Sequence, residues 1–498
     1  MRSQQTLGIS EAFTFILEPP AQPADYLWRF SGAEDTWLGC WGLLRYHAAP
    51  PTRQCRRYRV SAVARDIVYR DGDAQRTRLT DPKGLAYLVT EMAEPGGDFQ
   101  PVSTPTPLEP MILRCRQGEW VEVELTNRLP QSGRLAALLQ RFRSLCQNES
   151  VEDKTGPMWQ AWLGVACRAI QRLLRVETWT RSPLIAERHW PELPVEGDRN
   201  DPPISTHVSL VADGLPTWIR EPDGAERRAE PVETLAAGES KTFLFQTNVE
   251  PGPYLLQDMA DIRNHRHHGL FGALVVESAD ALPRRVMPGE STAGTDSAPA
   301  WTGSRATLVD SKGQRVEEIV LLLHDGVRYY VDGQENAGDL PNPPDIPGDE
   351  GIGSKPDTED QGQKAFNYRS ERLDLAFEPM KPCDPPDGKT IHDRTGWFTQ
   401  PPATPVFQVP PDSDVILQFV CAADKPRNHS LVLHGHAWRE WPHRGPNSPV
   451  VSSESGLTSG TVRSYAFRSN TTPGEYLYRS GVLKLAVAQG LWGLIDVR

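Results

Sequence analysis

The chain has 498 residues, with 65 acidic against 53 basic side chains for a formal net charge of −12, and carries 45 prolines, 12 histidines and 7 cysteines. The acidic balance opposes binding to nucleic-acid backbone through bulk electrostatics, and no apolar run approaches the roughly 20 residues of a membrane-crossing helix, so a soluble protein of two to four domains is expected. The cysteines are odd in number, scattered and without a Cys-x-x-Cys pair, which argues against a disulfide framework or a zinc ribbon and reads as buried thiols.

In chain order, the opening "MRSQQTLGISEAF" has neither the basic start nor the apolar core of a secretory signal. The expected location is the cytoplasm, and export would need a leader or a partner that carries the chain along. Residues 110 to 127, "PMILRCRQGEWVEVELTN", alternate with the period of two that half-buries a ribbon, and Gln117-Gly118 marks a tight turn inside it. From Gly133 to Trp179 the spacing of Leu135, Leu138, Leu139, Phe142 and Leu145, then Trp162, Val165, Ala166, Ala169, Ile170 and Leu173, is helical, so two inserted helices are predicted. Strand grammar returns in "ESKTFLFQTNVEPGPYLLQD" and "TPVFQVPPDSDVILQFVCAAD". The stretches 280 to 304 and 331 to 365 are too rich in Pro, Gly, Asp and Glu to pack, and read as a linker and a long acidic loop.

Residues 11 to 47 and 463 to 497 share an aromatic strand, a Pro-containing turn, an acidic-Tyr-Leu-aromatic-Arg run and a closing Trp-Gly-Leu, and 242 to 278 is a looser third copy. Residues 1 to 48 therefore read as the back half of a β domain. A half-sandwich exposes strand edges and a bare apolar face, so its front strands are expected from a second polypeptide, from elsewhere in this chain, or by strand exchange in a homodimer.

The segments "EPMILRCRQGEWVEVELTNRLP", "HHGLFGALVVES", "LLLHDG", "FNYRSERL", "HSLVLHGHAW", "PGEYLYRSG" and "GLWG" together resemble the multicopper oxidases, especially the large bacterial type related to manganese-oxidising enzymes. The resemblance covers nearly the whole chain outside the helical insert and the linkers. It implies an all-β protein of tandem cupredoxin-like Greek-key β-sandwiches with a small helical insertion. On that plan residues 1–48 are the C-terminal half of one cupredoxin domain, and 49–280 are a second domain with the insert at about 133–180. Residues 281–304 are a linker, and 305–498 are a further domain with the acidic loop at about 331–365.

The resemblance also implies copper: a blue site held by two imidazoles and a thiolate, and a cluster of eight imidazoles, supplied by four histidine motifs. This chain departs from that pattern. In "THVSLVADG", His207 stands at a ligand position and Ser209 at its missing partner; Gln257 and Met259 replace both histidines of the second motif. In "HSLVLHGHAW", His429 and His434 match ligand positions, Val432 replaces one, and His436 matches a histidine that is not usually a ligand. The fourth region, "LYRSGVLKLAVAQGLWG", has neither Cys nor His. The residual copper-ligand positions are thus His207, His429 and His434, with Gln257 and Met259 as weak ligands at most. The expectation is no cofactor in this chain, or at most one copper, with copper in a partner chain and no activity for this chain alone.

His265, His267 and His268 in "RNHRHHGLFG" read as a solvated loop before a strand. His324 in "LLLHDG" reads as structural, and Tyr368, Arg369, Glu371 and Arg372 of "NYRSERL" as an ion-pair brace at a domain seam. Phosphate-binding and dinucleotide glycine motifs and a Ser-His-Asp pattern are lacking. Two functions follow: a subunit that completes a split, heteromeric multicopper oxidase, its acidic loops drawing divalent cations such as Mn²⁺ toward the oxidising site; or a non-catalytic binding or scaffold protein with an apolar former copper pocket around Met259, Val432 and Leu433.

Overall fold

The structure, a computed structural model, describes residues 25–29, 39–45, 55–72, 78–130 except 82, 179–180, 204–284 except 263 and 280, 301–331 except 310, 311, 328 and 329, 363–373 except 372, and 402–498 except 424–427 and 441–445. The predicted helical segment within 133–178 and the acidic loop over 332–362 lie outside the described residues, as do Cys146, Cys167, Cys383 and Arg372. Among the described residues no helix is long and apolar enough to cross a membrane.

Two β-sandwiches follow one another, the tandem all-β architecture expected. The first sets a seven-stranded sheet, in the order Glu226–Arg228, Thr217–Arg220, Ser240–Gln246, Trp120–Asn127, Cys55–Ala64, Leu85–Ala93 and Gln100–Pro101, against a four-stranded one, Val211–Ala212, Gly252–Gln257, Phe271–Glu277 and Met111–Arg116. In the second, the larger sheet runs Leu282–Arg284, Arg305–Val309, Arg315–Val327, Asp414–Cys421, Val462–Arg468, Trp438–Arg439 and Val450–Val451, with Gln363–Phe366 also on Arg315–Val327. The smaller runs Val406–Val409, Trp492–Val497, Gly474–Arg479, His429–Leu433 and Ser453–Leu457. Parallel pairs fall at equivalent places. Cys55–Ala64 lies parallel to Trp120–Asn127 as Arg315–Val327 does to Asp414–Cys421, and Met111–Arg116 to Phe271–Glu277 as Val406–Val409 does to Trp492–Val497.

The alternation in Trp120–Asn127 works as read: Val121, Val123 and Leu125 enter the first core, while Glu122 and Glu124 turn outward to Arg220 and Arg59. The Gln117-Gly118 turn exists, closed by Glu119 N–H on the Arg116 carbonyl at 3.0 Å with Gly118 at φ +85°. The strands it joins enter opposite sheets, so it is an arch between layers and not a hairpin. Met111–Arg116 is taken by its parallel neighbour Phe271–Glu277, and the pairing extends to Gln117 N–H on the Glu277 carbonyl at 2.8 Å.

The sandwiches are welded face to face. The outer face of the four-stranded sheet offers Ile112, Leu255, Ala273 and Val275; the larger sheet of the second sandwich answers with Val320, Leu322, Val420 and Ala422. This explains the unbroken run "IVLLL": Ile319, Leu321 and Leu323 fill the second core while Val320 and Leu322 fill the seam, so both faces of the strand are dry. The stretch 281–304, expected to be a linker too polar to pack, does pack at both described ends. Leu282–Arg284 is an edge strand on Arg305–Val309, and Trp301 is buried in the first core with the Arg56 guanidinium 3.3 Å over its ring. An isolated tryptophan in a polar stretch carries no periodicity from which its burial could be read.

Residues Asp25–Arg29 and Trp41–Arg45 form an antiparallel two-stranded sheet of their own. It is tied to the first sandwich by Arg29, whose guanidinium donates to Asp213 at 2.9 Å, and by Tyr26, which packs against Cys55, Trp120, Trp218 and Leu244.

Candidate functional site

The segment that joins Gly252–Gln257 to Phe271–Glu277 brings imidazoles and carboxylates to the edge of the seam. Asp258, immediately after the first strand, caps the turn: one carboxylate oxygen accepts from Ala260 N–H at 2.8 Å and Asp261 N–H at 2.9 Å, the other from Ser209 N–H at 2.6 Å. Asp261 accepts from Ser205 N–H at 2.8 Å and Asn264 N–H at 3.1 Å. His265 is thereby clamped, its Nδ1 2.8 Å from Asp258 and its Nε2 2.9 Å from the Ser205 carbonyl. Both partners are acceptors, so both nitrogens donate and the ring is an imidazolium. Burial by itself lowers the affinity for the proton, but the charge and hydrogen bond of Asp258 and the charge of Asp261 outweigh it and raise the pKa to about 9.

This overturns the reading of the 265–268 histidines as a solvated loop. His265 and His268 are buried and His267 partly so. His268 Nδ1 lies 2.7 Å from Asp81, and Arg266 crosses the seam to donate to the Ala423 carbonyl and the Ser459 hydroxyl, each at 3.0 Å. Burying the strand that follows pulls the loop in; Arg266 and His268 meet partners from other elements, and His265 meets Asp258 of its own segment.

Facing this loop from the second sandwich is His324, within the long strand Arg315–Val327. It is fully buried, with its ring edge-on to Phe271 at 4.9 Å. Burial pulls its pKa down to about 4 against the opposing charges of Asp325 and Asp81, with His268 adding to the fall. The adjacent Asp325 holds His429 Nε2 at 2.9 Å. The Asp325–His429 pair thus joins the two sheets of the second sandwich, while Asp81, His268 and His324 line a polar seam between the sandwiches. The hydroxyl of Tyr368 donates to the Gly269 carbonyl across it, and Glu371 accepts from Ala403 N–H at 2.7 Å. At Tyr368 the brace expected of "NYRSERL" is a hydrogen bond.

The residual ligand positions are not brought together. His207 sits half-buried in the first sandwich, its proton affinity lowered first by burial and then by the nearby His265 against the pull of Glu239 and Asp258. His429 is buried on Asp325. His434, one residue beyond the His429–Leu433 strand, is exposed, and its Nε2 accepts from Arg479 Nε at 2.9 Å. His436 donates from Nδ1 to the His434 carbonyl at 2.9 Å, accepts Asn470 N–H at 3.3 Å and rests edge-on to Phe467 and Tyr476, a neutral packing residue.

These residues do not fit a copper centre. The Nε2 atoms of His429 and His434 are engaged with Asp325 and Arg479 and lie in different environments. Gln257 donates to Asp213, and Met259 packs with Ile262. The thiols of Cys115 and Cys421 are pushed up by burial, away from the thiolate a copper needs. Among the described residues no three of His, Cys, Asp and Glu stand where they could hold one metal ion. The apolar pocket expected around Met259, Val432 and Leu433 is divided, since Met259 belongs to a cluster of the first sandwich and Leu433 to the core of the second.

Sequence reasoning singled out the imidazoles and passed over Asp81, Asp258 and Asp325, the carboxylates that fix three of them. Asp258 leaves a local signal, an Asp at the head of a turn seven residues before His265. Asp81 and Asp325 leave none, because they meet His268 and His429 only in space.

No protein-family model and no curated protein matches this chain. Among solved structures it is similar to a multicopper oxidase at 11% identity and a TM-score of 0.41, over 91% of this chain and 92% of that one. It is similar also to the copper nitrite reductase of Nitrosomonas europaea, at 12% identity and 0.41 over 89% and 93%. A copper-containing nitrite reductase from Thermus scotoductus aligns at 12% and 0.37, over 89% of this chain and 61% of that one.

Proposed function

We propose that this chain is a non-redox subunit of a multicopper-oxidase-like assembly, in which tandem sandwiches give position and rigidity while the copper and the oxidation chemistry reside in a partner chain. The observation that carries the reading is the Asp325–His429 pair. An imidazole at a ligand position of the resembled family is buried, and its Nε2 has a carboxylate of its own chain as partner at 2.9 Å. Arg266, on the loop anchored by the His265 imidazolium, reaches the second sandwich at Ala423 and Ser459 and ties the two sandwiches together. The alternative, a self-sufficient scaffold protein, gives no role to the exposed aromatic hairpin near the N-terminus.

The purified full chain, incubated with Cu(II) and dialysed, is expected to retain less than one copper per chain by elemental analysis, to show no blue absorbance and to consume no oxygen with reducing substrates. Stoichiometric, tightly held copper with oxygen turnover would remove the proposal. A chain that is monomeric and fully soluble alone, and that migrates as a monomer in extracts of its source, would favour the scaffold reading.

A further inference from the structure

Four of the ligand positions implied by the resemblance, 207, 209, 257 and 259, fall on two chain segments of the first sandwich that run side by side where Val211 pairs with Gln257. What joins the segments is a serine at one of those positions and an aspartate at none of them. Asp258 accepts on one oxygen from the Ser209 N–H at 2.6 Å and from the Ser209 hydroxyl at 3.3 Å. The same hydroxyl accepts from Met259 N–H at 2.6 Å, and the Ser209 carbonyl accepts from the Tyr87 hydroxyl. At a position where the resembled family places an imidazole, every polar group of the serine is thus engaged within the first sandwich.

This arrangement takes two carboxylates out of water. The side chains of Asp258 and Asp261 are fully buried, and hydrogen bonds from backbone N–H groups do not cancel a net charge. His265 supplies a cation. It is equally buried, with Nδ1 2.8 Å from Asp258 and Nε2 3.9 Å from Asp261 and 2.9 Å from the Ser205 carbonyl. An acceptor at each nitrogen keeps both protons on the ring, so no lone pair is left for a metal. The ring touches 205–209 through Ser205 and 257–261 through Asp258, the same two segments that carry the four implied ligand positions.

We propose that the His265 imidazolium is a built-in cation that replaces a metal ion as the bridge of the first sandwich, neutralising Asp258 and Asp261, tying 205–209 to 257–261, and holding the next residue, Arg266, where it reaches the second sandwich. Arg266 donates there to the Ala423 carbonyl and the Ser459 hydroxyl, each at 3.0 Å, so the clamp at one residue sets the direction of the next. Unlike a bound ion, a side chain cannot be taken out by a chelator, and this corner of the chain therefore folds without metal. The proposal does not rest on the subunit reading, because it concerns how this chain closes its own corner whichever chain carries copper.

Chemical rescue of the full chain tests this. His265→Gly removes the ring and leaves Asp258, Asp261 and the Ser205 carbonyl around the space it filled. In urea denaturation at slightly acidic pH, imidazole at about ten times its dissociation constant should favour the folded variant roughly tenfold, whereas pyrazole, a ring of the same size that stays neutral there, should not. The wild type should respond to neither ring, nor to Cu(II), Zn(II) or a chelator. Should the glycine variant not fold, His265→Gln, Asp258→Asn and their double variant decide: the double is expected to be at least tenfold more stable than the two separate losses combined, since it removes charge and counter-charge together. Amide exchange at Gly460 and Thr461, beside the Ser459 that Arg266 reaches, should quicken in His265→Gln. Equal rescue by pyrazole, no rescue by imidazole in a folded variant, additive losses, or unchanged exchange at Gly460 and Thr461 each overturn the proposal. So does a copper or zinc ion that stabilises the wild type but not His265→Gln, for the ring is then a ligand. Copper held tightly by the wild type and by His265→Gln alike removes the subunit reading and leaves the built-in cation standing.

Discussion

Arg114 and Glu318, contributed by different sandwiches, meet at 2.8 Å with both side chains fully buried. The guanidinium also donates to the Gly303 carbonyl at 2.8 Å, and Gln418 donates to the other oxygen of Glu318 at 3.0 Å. Glu277 lies 3.6 Å from Arg114, and burial together with the charge of Glu318 raises the pKa of its carboxyl well above the usual range. A buried charge pair shared between the sandwiches fixes how the two align, because any slip strands a charge in a dry interface.

Breaking that pair on one side leaves the other charge buried alone. Glu318→Leu or Arg114→Met is therefore expected to cost roughly 3–5 kcal/mol, whereas the double variant Arg114→Met/Glu318→Leu should recover most of that loss. Urea denaturation of the four proteins measures the coupling; equal and additive losses would show that the pair does not act as a unit.

Stability on the alkaline side should carry the signature of His265. Its folded pKa of about 9 stands above the ordinary 6.5, so the contribution is complete below pH 6.5 and is lost as pH rises toward 9. Thermal melts of the wild type between pH 6.5 and 9 are expected to fall more steeply than those of His265→Gln, which starts lower but changes less.

The acid side should report His324, whose folded pKa of about 4 lies below the ordinary 6.5. Here the unfolded chain binds the proton first, so stability is full above pH 6.5 and drains away as pH falls toward 4. His324→Phe, which places an apolar ring beside Phe271, is expected to flatten this limb of the melting profile between pH 6.5 and 4. An unchanged limb would assign it to other groups.

Gly493 is required by the ring that crosses it. A methyl group there would lie 2.1 Å from the Tyr478 hydroxyl and 2.6 Å from the Pro405 carbonyl, so Gly493→Ala should destabilise the chain by about 1–3 kcal/mol. Removing the hydroxyl in Gly493→Ala/Tyr478→Phe still leaves the ring carbon at 2.2 Å as well as the backbone carbonyl, so little rescue is expected in the same denaturation experiment.

Much of the architecture was legible in the order of the residues. Alternation in "WVEVELTN" gave a strand with one wet face, and the recurrence of Tyr-Leu-x-Arg with Trp-Gly-Leu marked two hairpins that do share one register. Period and repeat are local properties, and a pleated strand obeys them wherever it lies. What covers the second face of a strand is not local. Tertiary structure alone decided that "RNHRHHG" is buried, since Asp81 lies 187 residues from His268, and that Arg114 has a counterion, since Glu318 lies 204 residues away. A charge reads as exposed until a distant partner removes the cost of drying it, and only the packing of one sandwich on the other brings those partners within reach.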